Sequence, residues 1–482
     1  MVPRDDHGVG GITLVDVTDP HNPKKLVEGA GDFTLKARGA ANGVPQTKAN
    51  QTHSAFAWEQ RDASGNKTGK VFVVLVDDLE LDDIDILDIT NPSRPTKVKE
   101  FNLQQFAQSG PTRPHGDAVF SHDMVVKHIA GRDIMLMSYW DGGYVLVDVT
   151  NPAQPKPLSD TDFAPNDPAR IPFGQQITPE GNAHEAEFTR GDSKFFFATD
   201  EDFNPYRVQA TFQGGPANGK VFTAIQGSAT KPVNKDNPVS GDTRFLGLGC
   251  DPVAAVDPAD QLIAVVERGV CDFQVKLNNI EAAGYKALIV FNRTGVDGCE
   301  TLVTMLAQSE TTPAVFVSRK DGFRLLGVEP DDLANPAYSC STDGTGTPTP
   351  AGPSVPVDIS AVFDGWGYTH MYRTDLTEGA KMQEVDFYAP DEGQNEAFAE
   401  NFGDMTVHEV ATDPDENLVY VSHYALGMRV LRYDDSGLTE VGKFVEEGGS
   451  NYWGVEVHKF GGQKYILGSD RDRGLRVFKF NG

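Results

Sequence analysis

The sequence predicts an all-β fold. It reads as a β-propeller of about six four-stranded blades, with five as the alternative, and a small α/β domain inserted between strands two and three of one blade. Three observations predict it. A β-branched run that ends in an Asn/Asp-Pro turn occurs three times, as Gly10–Pro23, Asp82–Pro95 and Gly142–Pro155, with weaker relatives at Gly427–Tyr433 and Gly474–Phe480. A strand recurring about every fifty residues points to a repeat architecture. Around the copies run four short strand-like segments in a fixed order, and such antiparallel units repeated radially are propeller blades. Between Thr199 and Gly367 the order breaks and the texture changes to continuous apolar runs.

Taken in order, Val2-Pro-Arg reads as the end of a strand, followed by Ile12–Val17 and a short strand near Lys25–Val27. The first complete unit is Thr52–Trp58, Lys70–Val76, Ile84–Ile89 and Thr96–Phe101. The second is Ser121–Val126, Asp133–Ser138, Tyr144–Val149 and the Lys156–Leu158 region. A third opens with Ala183–Phe188 and Lys194–Thr199, then resumes at Gly367–Arg373 and Gln383–Phe387. A fourth runs Val407–Val410, Leu418–Ser422, Arg429–Tyr433 and Thr439–Val441. The last has three strands, Tyr452–Val457, Tyr465–Leu467 and Leu475–Phe480. The first Pro of each repeated turn lacks an N–H and cannot sit in a central ladder, so each copy ends its strand there. An open ring would expose sheet edges, so the two ends of the chain should be neighbours.

The insertion holds Leu262–Val266, Ala287–Phe291 and Ala314–Val317, apolar runs of the kind found in a sheet covered on both faces. Phe273, Leu277, Ile280 and Ala283 fall at helical spacing, and Gly284 stops that helix. Thr342–Pro356, rich in Gly, Thr and Pro, reads as an exit linker. The domains are therefore set at 1–212 and 353–482 for the propeller and 213–352 for the insertion.

The 482 residues carry 70 acids against 42 bases, a net charge of −28. That field repels nucleic acid and anionic lipid, so neither is an expected partner. No apolar run of about eighteen residues is present, so no membrane insertion is expected. Met1–Asp6 does not read as a signal peptide, so either the protein is cytosolic or the numbering begins after a removed or missing N-terminus. The four cysteines, Cys250, Cys271, Cys299 and Cys340, fall in one ninety-residue window. That clustering favours local disulfides and a secreted or cell-surface protein, against four buried thiols. Of three pairings, Cys250–Cys271 with Cys299–Cys340 is preferred. Sequons at Asn50, Asn66 and Asn292 are compatible with surface loops.

The Leu-Val-Asp-Val-Thr-Asp-Pro copies resemble the LVIVD repeat of bacterial and archaeal surface propellers, including the choice-of-anchor B type. The run Glu267-Arg-Gly-Val-Cys-Asp-Phe-Gln-Val-Lys276, followed by Ala282-Ala-Gly-Tyr-Lys-Ala-Leu-Ile-Val-Phe-Asn292, is similar to a protease-associated (PA) domain. That likeness implies a non-catalytic module that binds, gates or recruits. No peptidase motif accompanies it: there is no His-Glu-x-x-His and no Gly-x-Ser-x-Gly.

Each unit opens with related residues: His53-Ser, His122-Asp, His184-Glu, His408-Glu, and Trp453 to Glu456 in the last. In a propeller first strands line the channel, so these positions should converge on one rim. Second strands end at that rim with Asp77-Asp78, Trp140-Asp141, Asp200-Glu201-Asp202, His423 and Asp470. A repeated His can be structural, can contact a ligand or metal, or can be catalytic, and the repetition itself favours structure. His suits a transition metal and carboxylates suit Ca²⁺. Asp77–Asp85 packs six acids into nine residues, either a solvated loop or a Ca²⁺ site drawing on Asp77, Asp78, Asp82 and Asp83. No nucleotide cofactor is expected. The inserted domain, replacing a rim-side loop, is expected beside the rim. Two functions follow. One is an extracellular binding or scaffold protein that recognises a polymer, peptide or protein. The other is a metal-dependent hydrolase or lyase.

Overall fold

The computed structural model describes residues 9–35, 43–77, 83–103, 120–294, 302–303, 305–328, 352–399 and 403–481. Val2–Arg4 lies outside them. The chain forms two compact units, one of residues 206–364 and one built mainly from the segments before and after it.

The first unit is a propeller-like ring of antiparallel sheets. Four are the predicted four-stranded units: Thr52–Arg61, Lys67–Asp77, Asp83–Asp88 and Thr96–Asn102; Asp123–Ile129, Arg132–Ser138, Tyr144–Asp148 and Lys156–Thr161; Ala183–Phe188, Phe195–Asp200, Thr369–Arg373 and Glu384–Tyr388; Val410–Thr412, Leu418–His423, Gly427–Asp434 and Gly437–Phe444. These are called blades one to four. Lys381–Met382 adds a fifth, parallel strand to blade two. Blade five has three strands, Tyr452–Phe460, Gln463–Asp470 and Gly474–Phe478. An N-terminal pair, Ile12–Asp16 with Lys24–Ala30, packs its Ile12, Leu14, Val27 and Ala30 on Val73, Leu75 and Leu87 of blade one.

The second and third strands read as unbroken apolar runs because both their faces are covered. In blade two, Met135, Met137, Val145 and Val147 pack on Val74, Val76, Ile84 and Ile86 of blade one. The alternate residues Ile134, Leu136, Tyr144 and Leu146 pack on Phe196 and Ala198 of blade three. Phe195, Phe197 and Met371 then meet Val419, Val421 and Leu431 of blade four. Period-2 side-chain direction thus sends successive residues to successive blades.

The repeated motif has a local physical cause. Asp16, Asp88 and Asp148 each accept the backbone N–H two residues on, from Thr18, Thr90 and Thr150. Asp19, Asn91 and Asn151 do the same for His21, Ser93 and Ala153. Two consecutive Asx turns therefore end each copy. The Thr90 and Thr150 hydroxyls also accept the N–H of Val71 and Asp133 on the neighbouring second strand, at 3.0 Å each.

The second unit enters the sequence between strands two and three of blade three. Its eight-stranded sheet has a parallel centre, Val239–Phe245, Ile263–Glu267, Ala287–Phe291 and Ala314–Val317. The expected helix spans Phe273–Ala282, and an unforeseen second one spans Arg319–Leu325. Two corrections follow. The units divide at Tyr206 and Asp364 rather than at 212 and 353, because Tyr206–Phe212 and Gly352–Phe363 pair with each other in this sheet. Gly352–Pro356, expected as linker, is therefore strand, and 342–351 lies outside the described residues.

Cys250 and Cys271 form the expected disulfide, with Cα atoms 5.8 Å apart. Cys299 and Cys340 lie outside the described residues. The Lys276 ammonium lies on the Leu248 and Gly269 carbonyls (3.0 Å to Gly269), so the Arg-Gly-x-Cys-x-Phe-x-x-Lys run folds around the disulfide loop. Two sequons are not at the surface: Asn50 is 3% and Asn292 0% exposed, because their amides are used internally, Asn50 on the Thr34 carbonyl and Asn292 with Arg268. Asn66 is exposed. No described helix is long and apolar enough to cross a membrane.

Candidate functional site at the channel mouth

The innermost strand of a blade has one free edge facing the channel, with backbone N–H and C=O groups that need partners. The His-acid dipeptides supply them across to the next blade. His122 Nδ1 donates to the His184 carbonyl at 2.9 Å, and His184 Nδ1 to the His408 carbonyl at 3.2 Å. The acid takes the complementary group: Glu185 accepts the Val410 N–H at 3.0 Å, and Glu409 accepts the Val455 N–H at 3.1 Å. Hydroxyls from second strands join in, Thr199 on the His408 carbonyl and Ser422 on the Trp453 carbonyl. The repetition of His followed by an acid is thus a blade-to-blade latch.

The latch also fixes the chemistry of the ring nitrogens. A carbonyl only accepts, so Nδ1 of His122 and His184 carries the proton, and a neutral ring then presents a lone pair at Nε2. His122 Nε2 accordingly receives a bond from His53 Nε2, 2.9 Å away. His184 Nε2 is 3.2 Å from Glu201 Oε2, and His408 Nε2 is 3.8 Å from Glu201 Oε1. The rings follow one another in tilted contact, with centroids 4.3 Å apart for His53–His122, 4.2 Å for His122–His184 and 4.3 Å for His184–His408. Trp453 continues the series at 4.5 Å from His408.

These side chains line a cavity of about 770 Å³ together with Asp123, Glu185, Phe203, Glu409, Tyr424 and Arg471. Phe203 and Trp453 are 47% and 46% exposed there. Trp140 stands beside the ring series, 5.2 Å from His122 and stacked on Phe120. It holds a left-handed φ of 42°, as does Tyr424 at the matching end of blade four with 29°, and strain of this kind gathers at working sites. The Tyr424 hydroxyl donates to Glu201.

Burial governs the charges. Burial, reinforced by the neighbouring imidazoles, pushes His184 well below its ordinary value and His408 down to about 3. Burial pushes Glu201 and Glu409 up to about 7, Asp123 up to about 6 and Glu185 well above the usual carboxylate range. The histidines are therefore neutral near pH 7, the form that binds metal. One atom from each of His184, Glu201 and His408 lies within 4.8 Å of the others. Tetrahedral Zn²⁺ with bonds of about 2.0–2.2 Å needs donors about 3.3 Å apart, which these three approach.

The structure brings His53, His122, His184, His408, Trp140 and Trp453 together. It separates the other candidates. Glu456 lines a different cavity, farther along the inner strands with Glu187, Lys127 and Phe56. His423 is fully buried within blade four, where burial pushes it down to about 3, because its side chain points to the blade's packed side near Tyr388. Asp200 is tied to His370 at 2.7 Å and to the Tyr144 hydroxyl at 2.9 Å. Burial opposes charge on His370, but Asp200 and Glu384 outweigh it and raise the imidazole to about 10. Asp470 accepts the backbone N–H groups of Asn451, Asp472 and Arg473, so it caps a turn. Asp78 and Asp82, and the side chain of Asp83, lie outside the described residues. Asp77 joins a separate acidic group with Asp85 and Asp32. Tyr424, Phe203 and Arg471 were not singled out from sequence. Glu201 was visible in the acid run ending its strand, whereas Tyr424 and Arg471 carry no repeat signal.

Comparison with known proteins supports the two-part organisation. The LVIVD repeat family matches residues 80–102 and the PA domain family matches residues 235–325. Neither match bears on the choice-of-anchor B type. No curated protein matches the chain. Among solved structures, the zinc aminopeptidase BSAP from Bacillus subtilis is 14% identical, with a TM-score of 0.22 over 39% of this chain. This chain spans 38% of that aminopeptidase. A putative 6-phosphogluconolactonase from Bacteroides uniformis is 13% identical, covering 91% of this chain and 84% of that one at a TM-score of 0.29. The Myceliophteria thermophila Cps50 (Swd1) β-propeller domain is 7% identical over 91% and 86%, at 0.28. The chain is a propeller-like ring of sheets that carries an LVIVD repeat and, inserted in its sequence, a PA domain.

Proposed function

We propose that the protein is a secreted or cell-surface binding protein whose propeller takes a positively charged peptide or protein segment at the channel mouth. One observation carries this reading: two half-exposed aromatics, Phe203 and Trp453, flank a cavity lined by the carboxylates of Asp123, Glu185, Glu201 and Glu409, with Arg471 as its cation. Aromatic side chains at a concave site are frequent anchors of recognition. The net charge of −28 steers a cationic partner toward it. The disulfide agrees with an oxidising compartment. In the test, peptides are selected on the purified protein from a random displayed library. Lys- and Arg-bearing peptides are expected to enrich. The double variant Phe203→Ala/Trp453→Ala should keep its circular dichroism and lose at least tenfold in affinity. Selected peptides that bind both proteins equally would remove the mouth from consideration.

A second reading, metal-dependent hydrolysis or lyase chemistry, is favoured by the donor set His184, Glu201 and His408. It expects one transition-metal ion per chain, lost in His184→Ala/His408→Ala. Absence of bound metal, with no Zn²⁺ effect on Trp453 fluorescence, would sink it.

A further inference from the structure

The N-terminal strand pair and blade one enclose a group of carboxylates that the channel mouth does not use. Leu75 faces Asp85 and Val76 faces Ile84 across the ladder, so Asp77 and Asp85 stand on the same face of blade one, the face covered by the strand pair. Asp32, two residues after that pair ends, comes down on them. Asp32, Asp77 and Asp85 are each 2% exposed or less. Oxygens of Asp32, Asp85 and Glu100 lie within 4.8 Å of one another. Lys97 reaches in with 2.8 Å to Asp32, 2.7 Å to Glu100 and 3.8 Å to Asp85.

Among the described residues, the three buried carboxylates of Asp32, Asp77 and Asp85 face one ammonium, that of Lys97. Lys97 takes Oδ1 of Asp32 and lies 3.8 Å from Oδ1 of Asp85, Asp77 is within reach of Asn50 and Asp85, and Oδ2 of Asp32 and Oδ2 of Asp85 are buried without a hydrogen bond. Burying unpaired carboxylates costs several kcal/mol each, on the order of a domain's whole stability when summed. A proton shared between Asp77 and Asp85 cancels one charge, whereas a divalent cation cancels two. The donors are all oxygen, which selects a hard ion over zinc or copper. An ion that takes six to eight oxygens in flexible geometry suits a crowd of carboxylates better than Mg²⁺, which keeps several waters.

We propose that Asp32, Asp77 and Asp85 form a Ca²⁺ site that staples the N-terminal strand pair to blade one. Glu100 and Lys97 form its flank, with Lys97 holding the two outer carboxylates in place. The site is independent of the channel mouth.

The test uses the full chain stripped with EGTA and titrated with CaCl₂ by calorimetry and thermal melting. Wild-type protein is expected to bind one Ca²⁺ here and to melt several degrees higher in 1 mM Ca²⁺ than in EGTA. Trypsin cleavage after Lys24 or Lys25 should slow in Ca²⁺, since those residues open the second strand of the pair. Asp85→Asn keeps the side-chain shape and relieves repulsion, so it should fold at least as well in EGTA. It should lose the melting response and at least tenfold in Ca²⁺ affinity. His184→Ala/His408→Ala should keep the response. No Ca²⁺ heat and no melting shift in the wild type, or equal responses in wild type and Asp85→Asn, would overturn the proposal.

Discussion

Replacing Arg319 by Met is expected to destabilise the unit of residues 206–364 by about 3–5 kcal/mol, the usual loss when one partner of a buried ion pair is removed. Arg319 opens the second helix, and its Nη1 sits 2.7 Å from Glu267 Oε1 and 3.1 Å from the Asn292 carbonyl. Arg319 is 1% and Glu267 0% exposed, and the guanidinium lies over the Phe323 ring at 4.8 Å. Met fills much of the same volume, so most of the loss comes from the carboxylate left without its cation. The double variant Glu267→Gln/Arg319→Met should therefore regain most of it. Urea denaturation, with proteolysis reporting which unit opens, measures both. Equal stability of wild type and Arg319→Met would show that the pair contributes nothing net.

Lowering the pH from 8 to 6.5 is expected to stabilise the ion-free protein by about 2 kcal/mol. The carboxyls of Glu187, Glu201 and Glu409, pushed up to about 7 chiefly by burial, bind protons in the folded chain that the unfolded chain does not take until about pH 4.3. Their contribution is thus lost as pH rises through 7. His370, raised to about 10, acts in the same direction, since the unfolded imidazole gives up its proton above about 6.5 while the folded one keeps it. His184, His408 and His423 oppose them. Their folded values are depressed, so they resist a proton that the unfolded chain accepts, and stability falls again below about pH 5. The opposing histidines keep the net figure small for four groups. Melting temperature against pH should show a maximum near pH 5–6. A flat profile between 8 and 6.5 would mean these groups ionise normally.

The ring of sheets was legible because its signals are local. Val-Asp-Val-Thr-Asn-Pro writes two Asx turns within six residues, and runs such as Met135–Met137 announce strands covered on both faces. The histidines were legible as a series because they recur at the same place in successive units, where His122 and His184 bond the carbonyl of the next. What escaped depends on contacts distant in sequence. Asp32 meets Asp85 only once the N-terminal pair folds onto blade one. Arg319 finds Glu267 fifty-two residues away, and His370 is an ordinary strand residue until Asp200 and Glu384 close on it. His423 and Asp470 failed as rim residues because the end of a strand does not say which way its last side chain turns. The unit boundary at Tyr206 was hidden because an apolar-alternating strand looks alike in either sheet.

The latch between blades has a mechanical consequence. His184 uses one nitrogen to hold blade four and turns the other toward the mouth. A cation bound at Nε2 would make the Nδ1–H a stronger donor and shorten the bond to the His408 carbonyl. Such an ion would work like the clasp of a bracelet, tightening the link it closes, and a ring so occupied would resist being pulled open between blades three and four.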